Sequence, residues 1–373
     1  MHSIKKKILF ILRRREDYSE VLHSSHLGLS TGLFNSATFM NDMLNKRGIE
    51  SELVVVIDNN NIDREVNKHK PTHVIIEALW VVPSKFEILS KLHPNVKWII
   101  RLHSEIPFLA GEGMAFDWIG NYFKNPNVLL AANAPRMLEE AKTYLSIKFD
   151  ENSIKDRIIY LPNFYPTNYK TKKNLSIGNR LHIGCFGAIR PLKNQMLQSL
   201  AALDFATSIR KPLTFHINGD RIEMKGSPVL NNLRSLFTNL SSKGHILEEH
   251  TWTPREEFLD LCSQMDIGMQ VSFSETFNIV GADFISQGVP IVVSSEIPWA
   301  SDNFTARPTE SKEIVKALKS TYLFPKRNVT EHQRNLKQYS ENSSDIWVNY
   351  FKGRHTGFLG LIEDVIDEVE RIL

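Results

Sequence analysis

The chain has 373 residues, room for two domains of ordinary size, with 42% hydrophobic and 23% charged residues, the profile of a globular protein and not of a disordered one. Its net charge of +3 is spread evenly, 21 Lys+Arg against 19 Asp+Glu over residues 1–160, too slight a bias to announce nucleic acid or a membrane surface. Two cysteines, Cys185 and Cys262, exclude a disulfide framework and a cysteine-rich zinc site; both lie in apolar patterns and read as buried thiols in a reducing compartment.

In chain order, Ile8 to Leu12 is a continuous apolar run, as expected of a strand buried on both faces. With Lys5, Lys6 and Lys7 before it, the run is too short for a signal peptide and lacks a small-residue cleavage site, and no segment has eighteen consecutive apolar residues. A cytoplasmic protein without stable membrane insertion is expected. Gly28, Ser30, Thr31 and Gly32 then lead into a helix with Phe34, Ala37, Met40, Met43 and Leu44 at helical spacing, ended by Gly48, and Glu52 to Ile57 is the next strand. The alternation continues with strands at 73–80, 96–102, 128–132 and 158–161 and helices at 83–92, 116–123 and 135–145. Residues 164–180 are polar and read as a linker. A second alternation has strands at 181–186, 213–217, 267–271 and 289–293. Its helices fall at 194–208, 229–240 and 254–265, the last capped by Thr253 with Glu256 in the capping-box position. From Glu310 onward the pattern is helical, to a final amphipathic segment Phe358 to Leu373. Strands alternating with helices predict two doubly wound α/β domains, each with a parallel sheet covered on both faces, binding ligands between the carboxyl ends of their strands.

The stretch Ser272 to Val293 carries the densest signal. Glu275 and Asp283 are eight residues apart, a little over two helical turns, so a helix could carry them on similar sides. Glu275 falls at or just before the first turn, where free N–H groups favour anions. The same stretch also reads as an ordinary strand-helix-strand unit with a Ser/Glu cap. Arg190 and Lys193 follow a strand and precede a helix, which suits a diphosphate or, equally, a solvated basic loop. His103 ends a strand, where it can meet a substrate hydroxyl or cap the backbone. Arg13, Arg14 and Arg15 could meet acceptor phosphates or be a solvated loop. No D-x-D, H-E-x-x-H, P-loop or G-x-S-x-G pattern occurs, so a carboxylate-held metal on a diphosphate, a metalloprotease, a P-loop NTPase and an α/β hydrolase all lose their usual anchors.

Taken together, Ser274-Glu275-Thr276-Phe277-Asn278, then Asp283, then Gly288-Val289-Pro290, resemble the E-x7-E signature and G-x-P tail of family 4 retaining glycosyltransferases. Gly187 to Asn194 resembles their phosphate loop, Leu161-Pro162-Asn163 the step that ends their N-terminal domain, and Gly28 to Phe34 their Gly-containing first loop. The resemblance implies two Rossmann-like domains facing across a cleft (GT-B architecture): residues 1–163 for the acceptor, a linker at 164–180, residues 181–340 for the nucleotide sugar, and helices at 341–373 that could cross back. It implies a nucleotide-diphosphate sugar as co-substrate, a UDP-sugar being expected, with no metal and no other cofactor. Gly32, Arg190, Lys193, Thr276, Phe277, Asn278 and Asp283 would bind the donor, with Arg190 and Lys193 on the pyrophosphate and Asp283 on the ribose. Glu275 and His103 would be the catalytic pair, Glu275 gripping the donor sugar and His103 facing the sugar or acceptor. Transfer would proceed with retention by front-face attack, without a protein nucleophile.

The chain departs from the family pattern in three places. The second acid is Asp283 and not Glu, Ala188 stands where the phosphate-loop Arg usually does, and Asn278 replaces the usual Gly. On the acceptor side, Arg13 and Glu105 are the candidate residues. The aromatic, acidic loop Ser104 to Trp118 suits a saccharide or glycoside; a hydroxymethylated base in duplex DNA is the other acceptor class, which the basic residues near the N-terminus would serve. A non-catalytic nucleotide-sugar-binding module on the same fold is the alternative.

Overall fold

The apolar runs become strands because only a sheet covered on both faces buries every side chain of such a run. The computed structural model describes residues 5–13, 32–170 and 178–353. Its first sheet contains β1 (Lys7–Arg13), β2 (Glu50–Val56), β3 (His73–Glu77), β4 (Lys97–Leu102), β5 (Val128–Ala132) and β6 (Ile158–Tyr160) in the order β2-β1-β3-β4-β5-β6. The second contains β7 (Leu181–Gly184), β8 (Leu213–Asn218), β9 (Ile246–His250), β10 (Ile267–Gln270), β11 (Ile291–Ser294) and β12 (Thr305–Ala306) in the order β12-β11-β10-β7-β8-β9. Every pairing is parallel.

The helices of the first unit are α1 (Gly32–Lys46), α2 (Ile62–His69), α3 (Lys85–Leu92), α4 (Ile106–Leu109), α5 (Ala115–Tyr122), α6 (Pro135–Ser146) and α7 (Glu151–Lys155). Those of the second are α8 (Gln195–Ser208), α9 (Ser227–Leu240), α10 (Arg255–Ser263), α11 (Ile279–Ser286), α12 (Ser311–Leu323) and α13 (Pro325–Lys352). The expected architecture of two doubly wound α/β units is therefore present. Among the described residues no helix is long and apolar enough to cross a membrane, and both cysteines are free and buried.

Burial is continuous from Ile8 to Leu12, as a doubly covered strand requires, and successive side chains enter opposite cores. Leu9 and Ile11 join one core, while Ile8 and Phe10 join another built with Met40, Met43 and Leu44 of α1. The second core is completed from far along the chain by Trp347, Val348 and Phe351 of α13. Trp347 donates to the Pro162 carbonyl at 2.8 Å, and Arg47 reaches Ser344 at 3.0 Å and Asp345 at 2.7 Å. The helix that begins against α11 and α12 thus ends on the first sheet.

Several local expectations are corrected. The β2 strand starts at Glu50 and leaves Ile57 exposed. Helix α2 went unread because Ile62 and Val66 are its only buried apolar anchors in a charged segment. Thr253 does not cap α10: Pro254 occupies the cap position and no side chain caps the helix there. Tyr165, within the expected polar linker, is 1% exposed and belongs to a core. The loop residues Gly28, Ser30 and Thr31, the arginines Arg14 and Arg15 and the final segment from Phe358 lie outside the described residues.

Replacing Trp347 with Ala should lower the unfolding free energy by about 3–5 kcal/mol, the usual range for deleting a buried large aromatic. Urea unfolding of the full chain measures it.

Candidate functional site

In an open parallel sheet a crevice forms where neighbouring strands send their connections to opposite faces. In the second sheet that point lies between β7 and β10, adjacent in space but separated in sequence by β8 and β9. The connections leaving these two strands carry Lys193 and Glu275.

The loop after β7 turns at Gly187, whose φ of +110° suits glycine and whose N–H donates to Asn218 Oδ1 at 2.9 Å. Lys193 closes a short 3-10 turn, and Asn194 follows in the left-handed region, its side chain donating to the Val271 and Pro308 carbonyls at 3.0 and 2.7 Å. Gln198 donates to the Lys193 carbonyl and accepts from the Val271 N–H, both at 2.8 Å, so it pins this loop to the end of β10. The Lys193 ammonium then meets the Glu275 carboxylate in an ion pair whose side chains are 13% and 10% exposed. Burial pushes the Glu275 carboxyl up, but Lys193 and Arg190 outweigh it and hold the group below the ordinary glutamate value. Glu275 is therefore an anion and not an acid.

Helix α11 begins at Ile279, so Glu275 lies in the loop before it and not on its surface. The expectation that Glu275 and Asp283 share a helix face is corrected, because Asn278, in the left-handed region, caps the helix by accepting from the Gly281 N–H at 2.7 Å. Among the described residues the N–H groups of Thr276, Phe277, Asn278, Ile279 and Val280 find no acceptor, leaving donors at a helix N-terminus beside Lys193. The side chains of this loop are otherwise used. The Thr276 hydroxyl donates to the His103 carbonyl and accepts from Asn133, both at 3.1 Å across the cleft. Phe277 is buried against Tyr165, Trp299 and Tyr339, and its carbonyl accepts from Trp299 at 2.7 Å.

Arg190 lies over the Phe108 ring of the first unit, 4.8 Å from its centre, and reaches Glu223 at 3.4 Å. Asp283 is 2% exposed, and its Oδ1 accepts from Arg255 at 2.6 Å and Tyr165 at 2.8 Å; Oδ2 takes no hydrogen bond from the described residues. Burial pushes this carboxyl up, and Arg255 and Tyr165 only partly offset it. A pocket between the two units is lined by Gly32, Gly187, Asn218, Trp252, Thr253 and Asp283 among others. Gly32 starts α1 close to α11: a Cβ there would lie 3.3 Å from Ile279 Cγ2.

On the facing edge, His103 follows β4. Its Nε2 is bonded to Glu77 at the end of β3, and Arg101 donates to the same carboxylate at 3.2 and 3.3 Å, to the Leu161 carbonyl at 3.1 Å and to Asn163. Burial lowers the His103 pKa, Glu77 raises it and Arg101 lowers it, with a net fall, so its imidazole is neutral. Glu105 is 3% exposed and paired with Arg136, which also reaches Glu296 of the second unit at 2.5 Å. Arg13 is exposed at the end of β1, with no partner among the described residues. Thus His103, Glu105, Thr276, Lys193, Glu275 and Arg190 come together around one closed cleft, while Asp283 and Gly32 line its inner pocket.

Sequence reasoning missed Glu77, Arg101, Arg136, Arg255 and Tyr165. Arg101 had a signal, a charge inside the apolar run Trp98-Ile99-Ile100-Arg101-Leu102, which only a buried partner permits. Arg136 and Arg255 had none, since each finds its acid on a remote segment.

The fold is the GT-B architecture, two Rossmann-like domains facing across a cleft. No protein-family model and no curated protein sequence matches the chain. Solved structures do. Anabaena Alr3699/HepE in complex with UDP matches with a TM-score of 0.60 at 14% identity, covering 99% of this chain and 100% of that one. The Thermosynechococcus elongatus sucrose-phosphate synthase matches with 0.67 at 10% identity, covering 93% and 99%. The N-terminal domain of Candida albicans trehalose-6-phosphate phosphatase matches with 0.67 at 11% identity, covering 95% and 99%.

Because the folded-state pKa of Glu275 is depressed, its contribution to stability is present above its unfolded value of about 4.3 and is lost as pH falls through the folded one. The stability advantage of wild type over Glu275→Gln should hold between pH 7 and 5 and close below about pH 4. Urea midpoints of both proteins against pH measure this.

Proposed function

We propose that the protein is a retaining glycosyltransferase that moves a sugar from a UDP-sugar to an acceptor hydroxyl without a metal. The observation that carries this reading is the meeting of Lys193, an ionised Glu275 and acceptor-free N–H groups at one switch point. Support also comes from the fold's likeness to Anabaena HepE, whose structures hold UDP and UDP-glucose.

In this reading the free site pairs its own charges, and the donor exchanges those partners. Lys193 leaves Glu275 for the diphosphate, with Arg190 and the N–H groups from Thr276 to Val280 around it. Glu275, released as a carboxylate, accepts from the sugar hydroxyls. Asp283, with Oδ1 held by Arg255 and Tyr165, turns Oδ2 to the ribose. The C1–O bond to the diphosphate breaks as the acceptor oxygen bonds C1 on the same face. The acceptor proton passes to the departing phosphate oxygen, and UDP leaves. His103, neutral and fixed through Nε2 by Glu77, faces the sugar or acceptor. The acceptor is a saccharide or glycoside. A modified-DNA acceptor would instead announce itself as duplex binding that weakens steeply with salt.

A non-catalytic nucleotide-sugar-binding module is the second reading, favoured by the bonds that already occupy Asp283 Oδ1 and Glu105. Transfer assays separate the two.

Thermal melts against a panel of nucleoside diphosphates should show UDP raising the melting temperature, by about 2.7 kcal/mol of added stability at a hundred times Kd. Lys193→Ala should abolish that shift, and no shift with any nucleotide would overturn the donor site. Glu275→Gln should keep UDP binding and lose at least about a hundredfold in transfer, as other lost transition-state contacts do. Measured transfer equal to wild type would remove Glu275 from the mechanism.

A further inference from the structure

Three histidines form a diagonal row across adjacent strands of the second sheet: His182 on β7, His216 on β8 and His250 on β9. The register sets His216 opposite Glu248 and Asn218 opposite His250. Glu248 and His250 are two apart on the edge strand and so share a face. On β8 the opposite face, Leu213, Phe215 and Ile217, is given to the core. The His216 and His250 rings stack with centres 5.2 Å apart, and the His182 ring lies tilted to that of His216 at 5.3 Å.

Their nitrogens converge. His216 Nδ1 is 2.9 Å from His250 Nε2 and 3.8 Å from Glu248 Oε2, and His250 Nε2 is 3.9 Å from Glu248 Oε1. The other nitrogen of His216, Nε2, is 3.0 Å from His182 Nδ1. A metal ion about 2.0–2.2 Å from nitrogen and carboxylate ligands holds them roughly 3–4 Å from one another, and the three separations span that interval. Nitrogen with one carboxylate oxygen is a donor set for first-row divalent metals and not for calcium or magnesium.

We infer that His216 Nδ1, His250 Nε2 and the Glu248 carboxylate bind one divalent transition-metal ion of the zinc class, with His182 orienting the His216 ring. A neutral imidazole gives a metal the lone pair of its unprotonated nitrogen. An ion there takes the lone pairs of His216 Nδ1 and His250 Nε2, so each ring then carries its proton on its other nitrogen. His216 Nε2–H then donates to His182 Nδ1, 3.0 Å away, which orients the ring as a residue behind a metal-bound histidine usually does. Glu248 is 51% exposed, and among the described residues it has no ion pair other than these histidines, so it is free to swing in. A bound ion would tie the edge strand β9 to β8. Asn218 and Trp252, each two residues beyond a ligand, line the inter-domain pocket, so the tie would also brace that wall.

The full-length protein, stripped with a chelator, is titrated with Zn²⁺ and assayed by equilibrium dialysis with elemental analysis. One ion per chain is expected. His250→Gln and Glu248→Gln, both at partly exposed positions, should each weaken uptake at least about tenfold, and His182→Gln about tenfold, the scale of a lost supporting contact. Metal-free melting temperatures equal to wild type would show that ligands and not the fold were lost. Co²⁺ loaded into wild type gives a readout without mutation: d–d bands without thiolate charge transfer are expected. No saturable uptake at micromolar Zn²⁺, uptake unchanged in both variants, or a thiolate band would overturn the site.

Discussion

A guanidinium sealed from water is the contact on which this architecture turns. Arg101 has no exposed surface, and five parts of the chain meet it: Glu77 from β3, His103 beyond β4, the Leu161 carbonyl, Asn163 at the exit from the first unit, and the Trp347 ring of α13, 5.2 Å from its centre. A buried cation is tolerated only when its donors are nearly all spent, and removing one partner typically costs about 3–5 kcal/mol. The packing of the first sheet, the return of α13 and the orientation of His103 therefore depend on one another. Ser36 of α1 joins through Asn163 at 3.1 Å, which extends the network to the first helix of the cleft.

The cleft follows a second rule: its charges are matched in pairs within the protein. Lys193 holds Glu275, Arg255 holds Asp283, and Arg136 spans Glu105 and Glu296. Each pair joins segments remote in sequence, and the Arg136 bridge joins the two units. A site built this way stays stable while empty, because no buried charge is left alone. The backbone donors before α11 are the exception, left without an acceptor among the described residues.

The alternation of apolar runs with helical spacing was legible because parallel sheets demand it, and β1, α1, β5 and α6 fell close to their read positions. The two loops singled out after β7 and β10 do meet, through the ion pair of Lys193 with Glu275. What stayed hidden depends on three-dimensional pairing. The Glu275–Asp283 spacing suggested one helix, yet Asn278 starts the helix later than the acids imply. Glu105 read as a cleft residue open to an acceptor, but Arg136, thirty-one residues on, takes it. The row of His182, His216 and His250 left no mark in the sequence, because nothing in a linear sequence says that β7, β8 and β9 lie side by side.

The long C-terminal helix has a consequence for how this molecule can be taken apart. The first sheet borrows Trp347, Val348 and Phe351 to close its own core, so the amino-terminal half is not a self-sufficient folding unit. A fragment ending before β7 would display the bare hydrophobic wall beside Ile8 and Phe10. The carboxyl-terminal half, which owns all its strands, keeps only an overhanging helix. Split expression, ribosome-order folding and domain exchange between relatives are all constrained by this asymmetry: the half synthesised first must wait for α13 before it is whole.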